Sequence, residues 1–421
     1  MMSEKNVWET YEEQEMNEVF ALAEDYKRFI SENKTERACV KSAVAMAEAR
    51  GYRDLREVIR RQETLKPQDK VYLTMMEKSI VLFHLGDRPL EEGMHILGAH
   101  IDSPRLDLKQ NPVYENTELA YLDTHYYGGI KKYQWVTLPL ALHGVIVKKD
   151  GTSVDVCIGE KEEDPVFVIS DLLIHLSNDQ MQKKAASVIE GEDLNVTFGS
   201  MPLKEEEKDK VKANVLKLLK ERYDVEESDL VSAEIEVVPA GKARDLGIDR
   251  SMVIGYGQDD RVCAYTSLVA LLEMENVEKT AVCLLVDKEE VGSQGATGMQ
   301  SCFFENALAE VMDRMGIYSE LKVRRALQHS KMLSSDVSAA YDPNYAGVME
   351  TNNCAYFGKG LVFNKYTGAR GKSGCNDANA EYMAELRAVM EKGNVAYQTS
   401  ELGKVDQGGG GTIAYILANY G

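Results

Sequence analysis

Two adjacent carboxylates, Glu289 and Glu290, stand just past the apolar run Ala281–Val286 and lead directly into the glycine-punctuated loop Val291–Gly298. A six-residue apolar run bounded by turn residues reads as a buried strand, and in α/β folds ligands sit beyond the carboxyl ends of strands. Three further clusters share this setting. A short apolar stretch from His95 ends in His100-Ile-Asp102, the doublet Asp259-Asp260 precedes Arg261 and a helical pattern, and Asp336 follows the short apolar segment at Met332.

An imidazole with several carboxylates and no thiolate suits a borderline or harder divalent ion such as zinc, manganese or cobalt. His100 and Asp102, two apart in extended chain, share a face, so the carboxylate can orient the ring; a buried structural histidine is the alternative. Either Asp259 or Asp260 can cap the helix that follows, and a carboxylate with two oxygens can also bridge two ions. Asp336, after Ser334 and Ser335, is a metal ligand or a turn former. The Glu pair can divide two tasks, one carboxylate ligating a metal while the other takes a proton from water as general base.

The elements that must position these groups alternate between helix and strand. Residues from about Trp8 to Arg50 read as two helices, with Thr35 capping the second and Gly51 ending it. Val71–Thr74 and Ser79–His84 form a hairpin around Met76–Lys78, and His95–Ile101 is the next strand. From about Leu106 to Val253 the texture changes to short Tyr-, Val- and Thr-rich strands such as Trp135–Leu138, Gly144–Val147 and Ser153–Cys157, with a helix near Glu205–Tyr223. Helical patterns return at Arg261–Met274, Gln300–Met315 and Asp377–Lys392 around the strand 281–286, and the four glycines Gly408–Gly411 allow a tight turn before a helix. The fold class is therefore α/β: a discontinuous catalytic domain, 1–105 and 254–421, interrupted by a β-rich domain, 106–253.

With 421 residues and 44% apolar composition, the chain can bury a sizeable core. Its 49 Lys and Arg against 69 Asp and Glu give a net charge of −20, which argues against nucleic acid and anionic membranes as partners. Seven scattered cysteines without a Cys-x-x-Cys fit a reducing cytoplasm. The amino terminus has no apolar signal core. The longest apolar stretch, Val136–Val147, is short and interrupted by His143, so neither export nor a membrane span is expected.

Taken together, Gly98-Ala-His100-Ile-Asp102-Ser-Pro-Arg105, Asp259-Asp-Arg261, Asp287-Lys-Glu-Glu-Val-Gly-Ser293, Ser334-Ser-Asp336 with Asp342-Pro-Asn-Tyr345, and Gly408–Thr412 closely resemble the aspartyl aminopeptidase family of dinuclear zinc metallopeptidases. The resemblance covers almost the whole chain. It implies a catalytic α/β sandwich with a mixed central sheet, an inserted domain used in oligomer assembly, and a homo-oligomer of twelve subunits. It assigns His100, Asp259 and Asp336 to one zinc, Asp259 and Glu290 to the other, Glu289 as general base and Asp102 as orienter of His100. It further implies a cis peptide after Asp259. An acidic amino-terminal residue of a peptide substrate would meet the basic cluster Lys359, Lys365, Arg370 and Lys372, with Lys365 the best match, although a solvated basic loop reads equally well. His175 resembles a histidine offered to a neighbouring subunit's active site, or is a core or interface residue.

The family's second zinc also takes a histidine from a segment beyond the glycine-rich loop, and no histidine follows His329 here. The second site is therefore expected to bind weakly, with cobalt or manganese as alternatives to zinc. The function expected is a cytoplasmic, metal-dependent aminopeptidase acting on peptides through activated water. The rival readings are a catalytically impaired homologue serving as an oligomeric scaffold or peptide-binding module, and a related dinuclear deacylase or carboxypeptidase.

Overall fold

The computed structural model describes residues 5–372 and 374–421; the first four residues of the amino-terminal segment read above lie outside the described residues. Six strands form a mixed sheet in the spatial order Arg53–Asp54, Lys70–Met75, Ser79–His84, Ala281–Val286, His95–His100 and Lys331–Ser334. The expected hairpin is present, with Met76 and Glu77 both at positive φ, the geometry a tight two-residue turn needs. Ala281–Val286 runs antiparallel to Ser79–His84 and parallel to His95–His100, and all six of its side chains are buried. That double-sided burial is why its sequence is continuously apolar rather than alternating.

One face of this sheet carries Val81, Phe83, Val282 and Leu284 against the helices Leu55–Arg60, Phe303–Arg314 and Glu320–Gln328, with the Phe83 and Phe304 rings stacked 6.2 Å apart. Helix Gln258–Leu272 packs on strands 95–100 and 281–286. The mixed-sheet α/β architecture expected from the sequence is thus the one observed. The capped short helices Leu55–Arg60 (Asp54) and Glu320–Gln328 (Ser319) were absent from the sequence reading.

These elements belong to the first of two units, comprising residues up to Tyr26, Val40–Ile101 and Gln258–Gly421. The second unit takes Asp102–Gly257, close to the inserted segment read at 106–253, and adds Lys27–Cys39. It holds a six-stranded antiparallel sheet in the order Ser153–Ile158, Leu140–Val147, Ala233–Pro239, Arg105–Asn116, Leu119–Tyr127 and Val196–Gly199. Leu106, Leu142, Ile146 and Val237 line its apolar face, closed by helix Lys210–Tyr223 through Val211 and Val215.

Trp135–Leu138 is not the strand its composition suggested. Trp135 ends a 3-10 turn, Thr137 sits at positive φ, and the strand starts only after Pro139, whose ring leaves no N–H for a ladder. The helix expected from Glu205 begins at Lys210, beyond the like-charged run Glu205–Glu207. Thr35 caps the second amino-terminal helix as read, its hydroxyl accepting from Ala38 N–H at 3.2 Å.

Candidate metal centre

Three parallel strands deliver the chemistry at their carboxyl ends. His100 is the last residue of its strand and pairs with Val286; Glu289 and Glu290 follow that neighbour after Asp287 and Lys288; Asp336 lies two residues past Ser334. Close packing makes this possible, since a Cβ on Gly98 would meet Met332 Cε at 2.1 Å. Asp259 and Asp260 open helix Gln258–Leu272, joined by a cis peptide as the resemblance implied. Fully buried Arg261 ties this helix start to the strand end through Nε and the Ile101 carbonyl, 3.1 Å apart.

His100 Nε2 lies 3.1 Å from Asp259 Oδ1 and 4.0 Å from Glu289 Oε2. Potential ligand atoms of His100, Asp260 and Asp336 all fall within 4.8 Å of one another, and so do those of His100, Asp259 and Glu290. The structure therefore brings together His100, Asp259, Glu289, Glu290 and Asp336. It adds Asp260, which the sequence reading kept only as an alternative to Asp259. The doublet itself was the signal; nothing in the sequence says that both carboxyls turn toward the same imidazole.

Five carboxyl groups share this space with one imidazole. Burial pushes the Asp260 carboxyl up to about 9, His100 opposing and Asp336 and Asp259 adding to the rise. Burial likewise raises Asp336 to about 7, again against His100 and with Asp259 and Glu289. Among the described residues neither Asp260 oxygen, both fully enclosed, meets a well-formed hydrogen-bond donor, and only the Cys263 thiol lies alongside. Buried acceptors without donors are costly, and hard oxygen donors around an imidazole nitrogen are what a divalent ion such as zinc requires. The residues present fit that group.

The loop carrying the Glu pair is held from beneath. Buried Asp287 accepts from the Thr297 hydroxyl at 2.6 Å and from Lys288 N–H at 2.7 Å, and Ser79 Oγ donates to the Thr297 carbonyl at 2.5 Å. Lys288 and Gly292 adopt positive φ on either side of the 3-10 turn Glu289–Val291. Gly298 cannot be replaced freely, because a Cβ there would lie 2.3 Å from the Ser293 carbonyl oxygen.

Asp259, Glu289, Glu290 and Asp336 open onto a cavity of about 900 Å³. Its far wall includes Tyr366, Arg370, Lys372, Glu401, Lys404 and the glycines Gly408–Gly411. Tyr366 donates to Glu401, and Lys372 pairs with Asp377 at 3.1 Å while lying over the Tyr366 ring. Gly409–Gly410 pairs with Gly368–Ala369 as a two-residue ladder, with the helix Ala414–Leu417 following as expected. Lys365 is exposed and is not among the residues lining this cavity, whereas Lys404, outside the basic run noted in the sequence, is.

Two other predicted residues belong to the second unit. Asp102, two residues along the chain from His100, is wholly buried and accepts from the Tyr127 hydroxyl at 2.8 Å; Arg105 lies 3.7 Å over the Tyr127 ring. His175 occupies the exposed turn Ile174–Leu176.

Residues 29–421 match the family described as aminopeptidase I zinc metalloprotease (M18). A probable M18 family aminopeptidase 1 of Clostridium acetobutylicum is 65% identical over 418 residues, covering 99% of this chain and 90% of the relative. The crystal structure of aminopeptidase I from that organism superposes with a TM-score of 0.93 at 62% identity, covering 100% of this chain and 91% of the other. The M18 aminopeptidase crystal structure from Thermotoga maritima gives 0.94 at 44% identity, with coverage of 100% and 91%. The chain belongs to the M18 family of zinc metallopeptidases and is a metal-dependent aminopeptidase.

Proposed function

We propose that this aminopeptidase removes the first residue of peptides, with acidic first residues preferred, at the cavity that begins at Glu289 and Asp336. The observation carrying the reading is the convergence of His100, Asp259, Asp260, Glu290 and Asp336, all ligand types for zinc, with Asp259, Glu290 and Asp336 lining that cavity. His100, Asp336 and one or both of the Asp259–Asp260 doublet would hold one ion, Asp259 and Glu290 a second. A bound divalent ion supplies Lewis-acid polarisation of the scissile carbonyl and lowers the proton affinity of a water.

The chain's own residues do the rest. Glu289, 4.0 Å from His100 Nε2, takes the water's proton as general base and passes it to the leaving amine. Asp102, held by Tyr127, acts as the orienter of His100 along the chain. Arg370 and Lys404 on the cavity wall supply positive charge for a substrate carboxylate, with Lys365 in the same segment as the resemblance's own candidate. Among the described residues the second ion would have Glu290 to itself and would share the Asp259 carboxylate and the His100 imidazole with the first, which supports weaker binding there.

The second unit exposes Leu172, Leu173, Ile174, Leu176 and Met181 in one short segment. Such a contiguous apolar surface supports homo-oligomeric assembly, twelve subunits in the family's pattern, with His175 presented to a neighbour. No helix among the described residues is long and apolar enough to cross a membrane; the cytoplasmic location proposed rests on the seven scattered cysteines without a Cys-x-x-Cys.

A panel of aminoacyl anilides, assayed after chelation and after return of zinc, cobalt or manganese, tests the reading. Turnover restored by metal and fastest with Asp or Glu anilides is expected. A preference for neutral residues would reject the acidic assignment, and release from peptide carboxyl ends would reject aminopeptidase polarity.

A further inference from the structure

A row of ionisable side chains crosses the second unit's sheet on the face opposite its apolar core. Cys157 stands directly across from His143, His143 from Glu236, Glu236 from Asp107, and Asp107 from His125. The peptidase chemistry uses none of them. At one end of the row the thiol of Cys157 is exposed, while His143 is buried.

His143 Nε2 lies 2.8 Å from Glu160 Oε1. Glu160 is fixed in turn: nearly fully buried Lys34 reaches Oε1 at 2.6 Å, and the Gly241 N–H donates to Oε2 at 3.2 Å. Lys34 Nζ also donates to the carbonyls of Pro239 and Gly241, both at 2.8 Å, so its own position is set. Residues directly opposite on antiparallel strands have Cβ atoms roughly 4.5–5.5 Å apart, which puts the thiol within reach of the imidazole. Burial opposes a charge on His143, but hydrogen bonding to Cys157 and Glu160 outweighs it and the imidazole is held above its ordinary range. A purely structural ion cluster explains Lys34 and Glu160; it does not call for an exposed thiol beside the buried ring.

We propose that Cys157, His143 and Glu160 form a nucleophile, a base and the group that orients the base, making Cys157 a site of covalent modification by electrophiles, with hydroperoxides as the oxidant class. Nucleophile, base and third orienting group in sequence is the general arrangement for activating a thiol. In the oxidation, His143 accepts the thiol proton and the sulfur attacks one peroxide oxygen. An S–O bond forms, the O–O bond breaks, and the departing oxygen takes the proton from His143 to leave as water or an alcohol. The product is a sulfenic acid at Cys157, with two electrons passed from sulfur to the peroxide.

Site-resolved mass spectrometry of the full chain tests this with iodoacetamide and with hydrogen peroxide followed by dimedone. At pH 7, Cys157 in the native protein should be alkylated about tenfold faster than in the urea-unfolded chain, despite its greater shielding. Dimedone should mark Cys157 after peroxide. His143→Gln and Glu160→Gln should bring the rate down to the unfolded value while the exposed Cys302 reacts as before. Native labelling no faster than unfolded, or an undiminished rate in His143→Gln, would overturn the proposal. Should a variant misfold, seen as altered Cys302 labelling, the native-to-unfolded ratio of the unaltered protein decides alone.

Discussion

His100 Nε2 and Asp259 Oδ1 lie 3.1 Å apart although 159 positions separate them in the chain. The strand that ends at His100 and the helix that opens at Asp259 are tied together by Arg261, whose Nε donates to the Ile101 carbonyl. The consequence is an imidazole crowded by carboxyls in a pocket where, among the described residues, only the Cys263 thiol lies beside the enclosed Asp260 carboxyl.

Glu289→Gln should lower kcat by about 10²–10⁴ with zinc content unchanged, because only the proton acceptor is removed. Glu290→Gln should instead reduce bound metal. Steady-state kinetics alongside metal analysis distinguishes the two, and metal loss in Glu289→Gln would exchange their roles.

The metal-free protein should lose stability as pH rises. Asp260 and Asp336 are raised to about 9 and about 7 from an ordinary value of 3.8, so between roughly pH 4 and 9 the native state binds more protons than the unfolded chain. Native stability then falls across that window, and zinc, which takes the place of those protons, should reverse the trend. Thermal melts at pH 5.5 and 8, with and without zinc, check this; a metal-free melting temperature that rises with pH would contradict it. Zinc titrations at pH 7 in buffers of different ionisation enthalpy should also show protons released on binding.

Thr297→Val deletes the hydroxyl 2.6 Å from buried Asp287 while keeping its shape. A buried carboxylate left short of a donor costs about 1–3 kcal/mol. Chemical denaturation should register that loss, and kcat should fall because the Glu289–Glu290 loop rests on this bond. Thr297→Ser should restore both.

Ile174→Asp, placed in the exposed apolar segment of the second unit, should leave the monomer folded and shift mass distribution in solution toward smaller species. Unchanged assembly by light scattering would show that this segment is not the subunit contact.

Much of this was legible because local pattern and tertiary environment agree. Ala281–Val286 is apolar throughout since both its faces are buried, and the Met76–Glu77 turn and the Thr35 cap rest on chemistry confined to a few residues. Trp135–Leu138 misled because strand-like composition said nothing of Thr137 at positive φ or of Pro139. The second carboxyl of the Asp doublet was undetermined because helix-start sequence cannot say which way each side chain turns. The grouping of Lys27–Cys39 with the second unit rests on contacts such as Lys34 to Glu160, 126 residues apart, which no local pattern encodes.

The most direct test is anomalous diffraction at the zinc edge from crystals soaked in zinc. A strong peak within bonding distance of His100 Nε2 and of carboxylates from Asp336 and the Asp259–Asp260 pair is predicted, with a weaker one beside Glu290. An empty position at His100, with zinc bound only elsewhere on the molecule, would contradict the account.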